Sequence, residues 1–140
     1  MQRSIPKIII AGLVGTAVMT MVGLYGAPMM GMPKMNPADL LAMQMGGSMA
    51  LGWMGHLMIG VVLALIFAFF ALGRLPGPPA VQGALFSLAP WLMAMVVMMP
   101  MMGMPMFGGG AQPAMGSLVG HLVYGAVTGG IIGTQGTSHS

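Results

Sequence analysis

Residues 59–67, with the sequence Ile-Gly-Val-Val-Leu-Ala-Leu-Ile-Phe, decide the fold because none of their side chains can form a hydrogen bond with water. They lie within a longer apolar segment at about residues 49–72. A helix needs roughly 20 such residues to cross about 30 Å of hydrocarbon. In lipid, unpaired backbone groups are costly, so the segment is predicted to be a transmembrane helix.

Three further apolar segments have comparable length, at about residues 8–30, 81–102 and 116–133, and the last is the shortest and richest in glycine. A short helix at the membrane surface is predicted at about residues 37–45. Asn36 suits its N-cap and Pro37 its first helical position. The sequence therefore predicts an all-α, polytopic membrane four-helix bundle that forms a single domain over residues 1–140.

The composition excludes several classes of function. Charged residues make up only 4% of the chain and hydrophobic residues 57%, whereas soluble domains carry about 25% charged residues. The few basic residues are scattered, which argues against nucleic-acid binding. The absence of cysteine excludes disulfides and thiolate metal sites. Asp39 is the only carboxylate side chain, so acid–base catalysis by paired carboxylates is excluded and no enzymatic activity is expected.

The basic residues also predict the orientation in the membrane. Arg3, Lys7 and Arg74 fall on one side of the predicted spans, and Lys34 alone falls on the other. Positive charge marks the cytoplasmic side of a membrane protein. We therefore expect both termini to be cytoplasmic in a bacterial inner membrane, with the lipid bilayer as the main environment.

Two short motifs occur twice. Pro-Met-Met-Gly-Met-Pro at residues 28–33 recurs at 100–105, and each copy closes an odd-numbered span. Gly-His-Leu at residues 55–57 recurs at 120–122, early in the even-numbered spans. The chain is thus predicted to consist of two tandem helix-hairpin repeats. Because a hairpin returns the chain to its starting side, the copies would be related by a pseudo-two-fold axis along the membrane normal.

His56 and His121 each lie on a helix face of small residues, because residues four apart share a face. Such faces let membrane helices approach closely. On this interpretation the histidines are packing residues, and the chain is a non-enzymatic accessory or interaction subunit, in a homo-oligomer or a larger membrane complex. The predicted packing residues are Gly52, Gly60, Ser117, Gly125 and Gly129.

Two binding functions remain as alternatives, because a histidine inside a span is costly and is a candidate for function. One is a haem b held by axial imidazoles from His56 and His121. The other is Cu(I) or another soft metal, bound by the same two histidines and by thioethers at the outer face. The predicted ligand methionines are Met29, Met30, Met32, Met101, Met102 and Met104, with Met35 and Met106 nearby. Methionine is also an ordinary apolar filler. The third histidine, His139, lies in a polar tail and is given no role.

The motif at residues 28–34, the turn Leu-Pro-Gly-Pro-Pro at 75–79 and the segment 116–125 carry a resemblance that covers nearly the whole chain. In these features the sequence resembles a family of small bacterial membrane proteins of unknown function. The segment Gly-His-Leu-Val-Tyr-Gly at residues 120–125 is also similar to YagU-type inner-membrane proteins. The resemblance implies a membrane location and a helical fold, and it supplies no catalytic residue.

Overall fold

The computed structural model describes residues 4–133, and every regular element in that range is helical. In chain order, the helices are α1 (Ile5–Met29), α2 (Pro37–Gln44), α3 (Met49–Ala71), α4 (Pro79–Met101) and α5 (Ala111–Gly133). All except α2 are long and apolar enough to cross a membrane. The predicted all-α fold with four spans is confirmed, and the chain is a multi-pass membrane protein. Arg3, His139 and both termini lie outside the described residues.

The fourth span is longer than the sequence suggested. α5 begins at Ala111 rather than at about Gly116, and with 23 residues it equals α3 and α4 in length. Pro113 falls in its first turn. Backbone N–H groups there have no acceptor within the helix, so a proline, which lacks the N–H, costs no hydrogen bond. Glycine and proline in this region therefore mark the start of the helix, not a connection before it.

The short helix α2 lies where it was predicted and packs on α3. The Asn36 side chain accepts a hydrogen bond from the backbone N–H of Ala38 at 3.0 Å, which caps the helix, and Pro37 is its first residue. Ala38 and Ala42 are buried. They contact α3 at Gly52, where the missing side chain leaves room for the backbone of α2.

The four long helices differ in how they pack against one another. α1 packs along both α3 and α5, and α5 packs against the first part of α4, whereas α3 and α4 meet only near the turn that joins them. The larger buried side chains lie near that turn, which we name the turn end: Ile8, Phe67, Leu72 and Ile132. The opposite end, where residues 30–36 and 102–110 connect the helices, is the connection end. The predicted pseudo-two-fold axis is not confirmed.

The two copies of the proline motif nevertheless fold alike. Within each copy, a glycine with positive φ ends the helix, Gly31 at 80° and Gly103 at 78°. The N–H of the next residue bonds to a carbonyl five residues back, Met32 to Ala27 at 3.0 Å and Met104 to Met99 at 2.9 Å. This is the Schellman arrangement, which uses carbonyls that the helix leaves unpaired.

The same motif widens each helix before it ends. A five-residue π-turn precedes each copy, Val22–Gly26 in α1 and Ala94–Met98 in α4. A proline ring inside a helix collides with the carbonyl four residues earlier. The wider turn accommodates the proline at matching positions in both helices. A similar π-turn at Phe67–Ala71 ends α3 without a proline.

Candidate functional site

Polar side chains are rare in the spans, and most of them meet between α1, α3 and α5. We name this group the polar file; it consists of Thr16 and Thr20 of α1, His56 of α3, and Ser117, His121, Tyr124 and Thr128 of α5. The four α5 residues share one face of that helix. Thr16, Thr20, His56, Tyr124 and Thr128 are all buried. Ser117 and His121 are partly exposed, so the file is buried along most of its length and reaches the surface of the bundle at these two residues.

Hydrogen bonds hold α5 against both of its neighbours in the file. The Tyr124 hydroxyl donates to the backbone carbonyl of Gly60 on α3. The Thr128 hydroxyl donates to the carbonyl of Ala11 on α1 at 3.4 Å. Interhelical hydrogen bonds of this kind commonly join membrane helices. They fix the depth at which α5 lies relative to the other two helices.

Glycines allow this close approach of the helices. The small residues around His56 therefore pack against other helices of the same chain. A methyl group on Gly60 would overlap the hydroxyl of Thr16, and one on Gly12 would lie 2.9 Å from the carbonyl oxygen of Gly60. Helices α1 and α3 thus touch through their backbones. Gly52, one of the predicted packing residues, faces α2 in the same way.

The glycines of α5 pack against α4 instead of lining the file. Methyl groups on Gly125 and Gly129 would collide with the backbone of Gly83 and Pro79. Four residues advance a helix by more than one full turn, so a row spaced by four drifts around the axis. The predicted row at His121 therefore starts on the file and ends at α4, while the Ser117 hydroxyl stays beside His121 at 3.4 Å.

His56 has a defined proton position. Its Nε2 lies 2.9 Å from the Thr20 hydroxyl oxygen. The Thr20 hydroxyl donates its only proton to the backbone carbonyl of Thr16, at 2.7 Å. In the bond between Thr20 and His56 the hydroxyl oxygen can therefore only accept, so Nε2–H of His56 is the donor. Nδ1 then carries a lone pair, and no side chain or backbone group within residues 4–133 donates to it. His56 is only 5% exposed, and the Trp53 ring lies beside it.

His121 has the complementary arrangement. Its Nδ1 lies 2.8 Å from the backbone carbonyl of Ser117, so Nδ1–H donates and Nε2 carries the lone pair. Among the described residues, none donates to this Nε2. The hydrogen bond between Tyr124 and Gly60 places the two histidines at similar depth on α5 and α3. Each histidine therefore has one nitrogen held by a hydrogen bond and the other free, as in metal-binding histidines.

The predicted ligand methionines are not brought together. Met32 is buried, but Met29, Met30, Met101 and Met104 are 87%, 60%, 75% and 37% exposed, and Met102 is partly exposed. The second copy of the motif lies on the end of α4, which packs little against the bundle, so its methionines face outward. This exposure does not favour one cluster from both copies, and the methionine ligand set stays a prediction.

Two other methionines join Met32 on the face of α5. The sulfur atoms of Met35 and Met32 lie 3.0 and 3.3 Å from the position that a β-carbon on Gly116 would occupy. Met19 packs in the same way one turn further along, with its Cγ 3.6 Å from the corresponding position at Gly120. Thioethers therefore line α5 directly before His121.

The surroundings of the histidines do not suit haem. One turn from His56, Gly60 is in backbone contact with α1 and accepts the Tyr124 hydrogen bond from α5. A macrocycle between the two imidazoles would have to separate these helices and break that bond. A cavity of about 80 Å³ at the connection end, between α1 and the start of α5, is lined by neither histidine.

The threonines of the file are the residues that the sequence analysis missed. Thr16 and Thr20 are four residues apart in an otherwise apolar segment, and this spacing was the available signal. The four spans make the chain a small polytopic membrane protein. The two histidines of the polar file, which lie within the spans, are its candidate functional site.

The comparison with protein families found a match over nearly the whole chain. The model of a family of unknown function, DUF6789, matches residues 2–140, and the chain belongs to that family. The predicted membership of an uncharacterised family is thus confirmed. No curated protein and no solved structure matches the chain.

Proposed function

We propose that this membrane protein binds a soft monovalent cation, Cu(I) or Ag(I), with His56 and His121 as ligands. One observation carries the proposal: two imidazoles at similar depth in the bundle each have one nitrogen fixed by a hydrogen bond and the other nitrogen free. Hydrogen bonding of the non-ligating nitrogen is the usual way in which proteins orient a metal-binding histidine.

The chemistry of the surroundings selects the class of metal ion. Hard cations such as Mg²⁺ and Ca²⁺ require oxygen ligands, chiefly carboxylates, and Asp39 is exposed on α2. Within the described part of the chain, no three His, Cys, Asp or Glu side chains are grouped as a zinc site would need. Imidazole and thioether ligands favour Cu(I). A single positive charge is also less costly to bury than two.

The accessory role, which the sequence analysis placed first, loses its main argument. Gly52, Gly60, Gly125 and Gly129 contact other helices of the same chain, so these faces are not available to a partner. Assembly into a homo-oligomer or a larger complex remains a prediction. The proposed function is binding without a catalysed reaction, in a bacterial inner membrane whose cytoplasmic side faces the turn end with Lys7 and Arg74.

Silver binding to the purified protein in detergent tests the proposal, because Ag(I) has the ligand preferences of Cu(I) without its redox chemistry. Dialysis against Ag(I) with free methionine in the buffer suppresses weak binding by isolated thioethers. We expect one silver ion per chain by mass spectrometry. His56→Gln and His121→Gln should each weaken binding at least tenfold, as loss of a ligand requires.

His139→Gln is the matched control, since it removes the third histidine of the chain, and it should bind silver as the wild type does. Silver binding that is equal in the wild type and in both intramembrane variants would refute the proposed site.

A further inference from the structure

We infer that the soft cation reaches the two imidazoles from the connection end, through the thioethers of Met35, Met32 and Met19, which we name the thioether path. The inference rests on the proposed function and adds the route of access and the residues that provide it. It is carried by the placement of three sulfur-bearing side chains along one face of α5.

The backbone fixes the start of the path. After α1 ends, the chain folds back across it, and the N–H of Met35 donates to the carbonyl of Gly23 at 2.9 Å. Gly23 has no side chain, so the carbonyl of Met35 lies directly against it. The position of Met35 is therefore set by backbone contacts with a long helix.

Two sulfur atoms of the path lie beside the same residue. Those of Met35 and Met32 lie 3.0 and 3.3 Å from the position that a β-carbon on Gly116 would occupy, so both thioethers face one point of α5. Met32 is only 8% exposed. Two thioethers around one point suit a soft cation and no hard one.

The path continues along α5 towards the histidines. Gly120 lies about 6 Å along the axis from Gly116 and on the same face, and the side chain of Met19 fills the space beside it. Helical side chains lean towards the N-terminus of their helix. The ring of His121 accordingly lies beside Ser117, next to Gly116 in the chain. The imidazole of His121 therefore lies on the turn of α5 that Met32 and Met35 contact.

A cavity adjoins the first two thioethers. It has a volume of about 80 Å³, and Gly23, Gly26, Met32 and Gly116 contribute to its lining, which is almost entirely apolar. A hydrated hard ion would lose its water there without compensation. A soft cation would exchange its water for sulfur, so the cavity and the thioethers together select the same class of ion.

The rate of silver binding tests the path. Trp53 lies beside His56, with ring centroids 5.8 Å apart, so its fluorescence should report arrival of the ion after rapid mixing. The variant Met32→Leu/Met35→Leu nearly keeps side-chain volume and is expected to fold. We expect its association rate to fall at least tenfold, with one silver ion still bound at equilibrium. The control Met101→Leu/Met104→Leu changes exposed methionines and should bind at the wild-type rate.

Each other outcome has a defined meaning. An unchanged rate in Met32→Leu/Met35→Leu, with silver still bound, would overturn the path and leave the histidine site intact. Loss of the bound ion at equilibrium in that variant would make the thioethers part of the final site and would also overturn the path. A wild-type protein without histidine-dependent silver would remove the proposed function and the path together.

Discussion

The Tyr124 hydroxyl on α5 donates a hydrogen bond to the backbone carbonyl of Gly60 on α3, 64 residues earlier in the chain. Both helices run from the connection end to the turn end. His56 precedes Gly60 by about 6 Å of helix axis, and His121 precedes Tyr124 by about 4.5 Å. One hydrogen bond therefore places the two imidazoles at nearly the same depth in the bundle.

Removal of this bond should destabilise the protein moderately. We expect Tyr124→Phe to lower the free energy of unfolding by about 1 kcal/mol, because interhelical hydrogen bonds in membrane proteins contribute about that much. Unfolding in mixed detergent micelles, followed by circular dichroism, measures the effect. Tyr25→Phe is the control, because Tyr25 is 61% exposed, and it should leave the midpoint unchanged. Equal effects of the two substitutions would contradict a structural role for the Tyr124 hydroxyl.

Two adjacent glycines of α5 should respond differently to alanine. A methyl group on Gly129 would meet backbone atoms of α4, with the carbonyl carbon of Pro79 at 3.1 Å and Cα of Gly83 at 3.2 Å. A methyl group on Gly130 would meet only Cβ of Ala80, at an ordinary 3.8 Å. Gly129→Ala should therefore cost about 1–3 kcal/mol of unfolding free energy, as overpacking does.

Gly130→Ala should cost nothing measurable in the same unfolding assay. If both variants unfold at the wild-type midpoint, the contact between α4 and α5 is looser than the structure shows.

The repeated proline motif predicts equal costs at two distant sites. Gly31 and Gly103 both have positive φ, and nothing lies within 4 Å of a β-carbon built on either. The cost of alanine at each site is then that of the backbone conformation alone, about 1–2 kcal/mol. Gly31→Ala and Gly103→Ala should lower the free energy of unfolding by the same amount. A clear difference between them would show that the two copies differ in local structure.

The spans were predictable because hydropathy reports the solvent, and four apolar segments leave few alternatives in lipid. The pairing of His56 with His121 was inferred from the motif that recurs around them, and a shared site stays a prediction. The contact of Thr20 with His56 was not predictable from the sequence. One threonine hardly changes the hydropathy of a segment, and the contact depends on how α1 faces α3. The positions of the methionines were not predictable, because Met101 and Met32 are equivalent in sequence context but not in packing: Met32 is buried and Met101 is exposed.

The bond between His56 and Thr20 should be important for metal binding more than for folding. In Thr20→Val the hydroxyl that accepts the Nε2–H bond is replaced by a methyl group of similar size, so the imidazole loses its orientation. Loss of such a partner typically lowers metal affinity about 10–100-fold. Silver affinity from dialysis should fall by that factor in Thr20→Val.

Thr128→Val is the matched control for this measurement. Thr128 is also a buried threonine of the polar file, but it contacts Ala11 and not a histidine. It should bind silver with wild-type affinity. A similar loss in both variants would mean that the threonines act through general packing.

The turn between α3 and α4 depends on one buried side chain. Gln82 is 8% exposed; its Oε1 accepts from the N–H of Gly73 and its Nε2 donates to the carbonyl of Gly77, both at 2.7 Å. These bonds satisfy backbone groups of a turn that has no regular partners. Gln82→Leu leaves both groups unpaired, so we expect a cost of about 1–3 kcal/mol in the free energy of unfolding.

Faster hydrogen exchange at the Gly73 amide should localise the effect, and Gln112→Leu, at an exposed position of α5, should change neither quantity. Slow exchange at Gly73 in Gln82→Leu would mean that the turn is held by the packing of Leu72 and Phe67 in the core, and not by the glutamine.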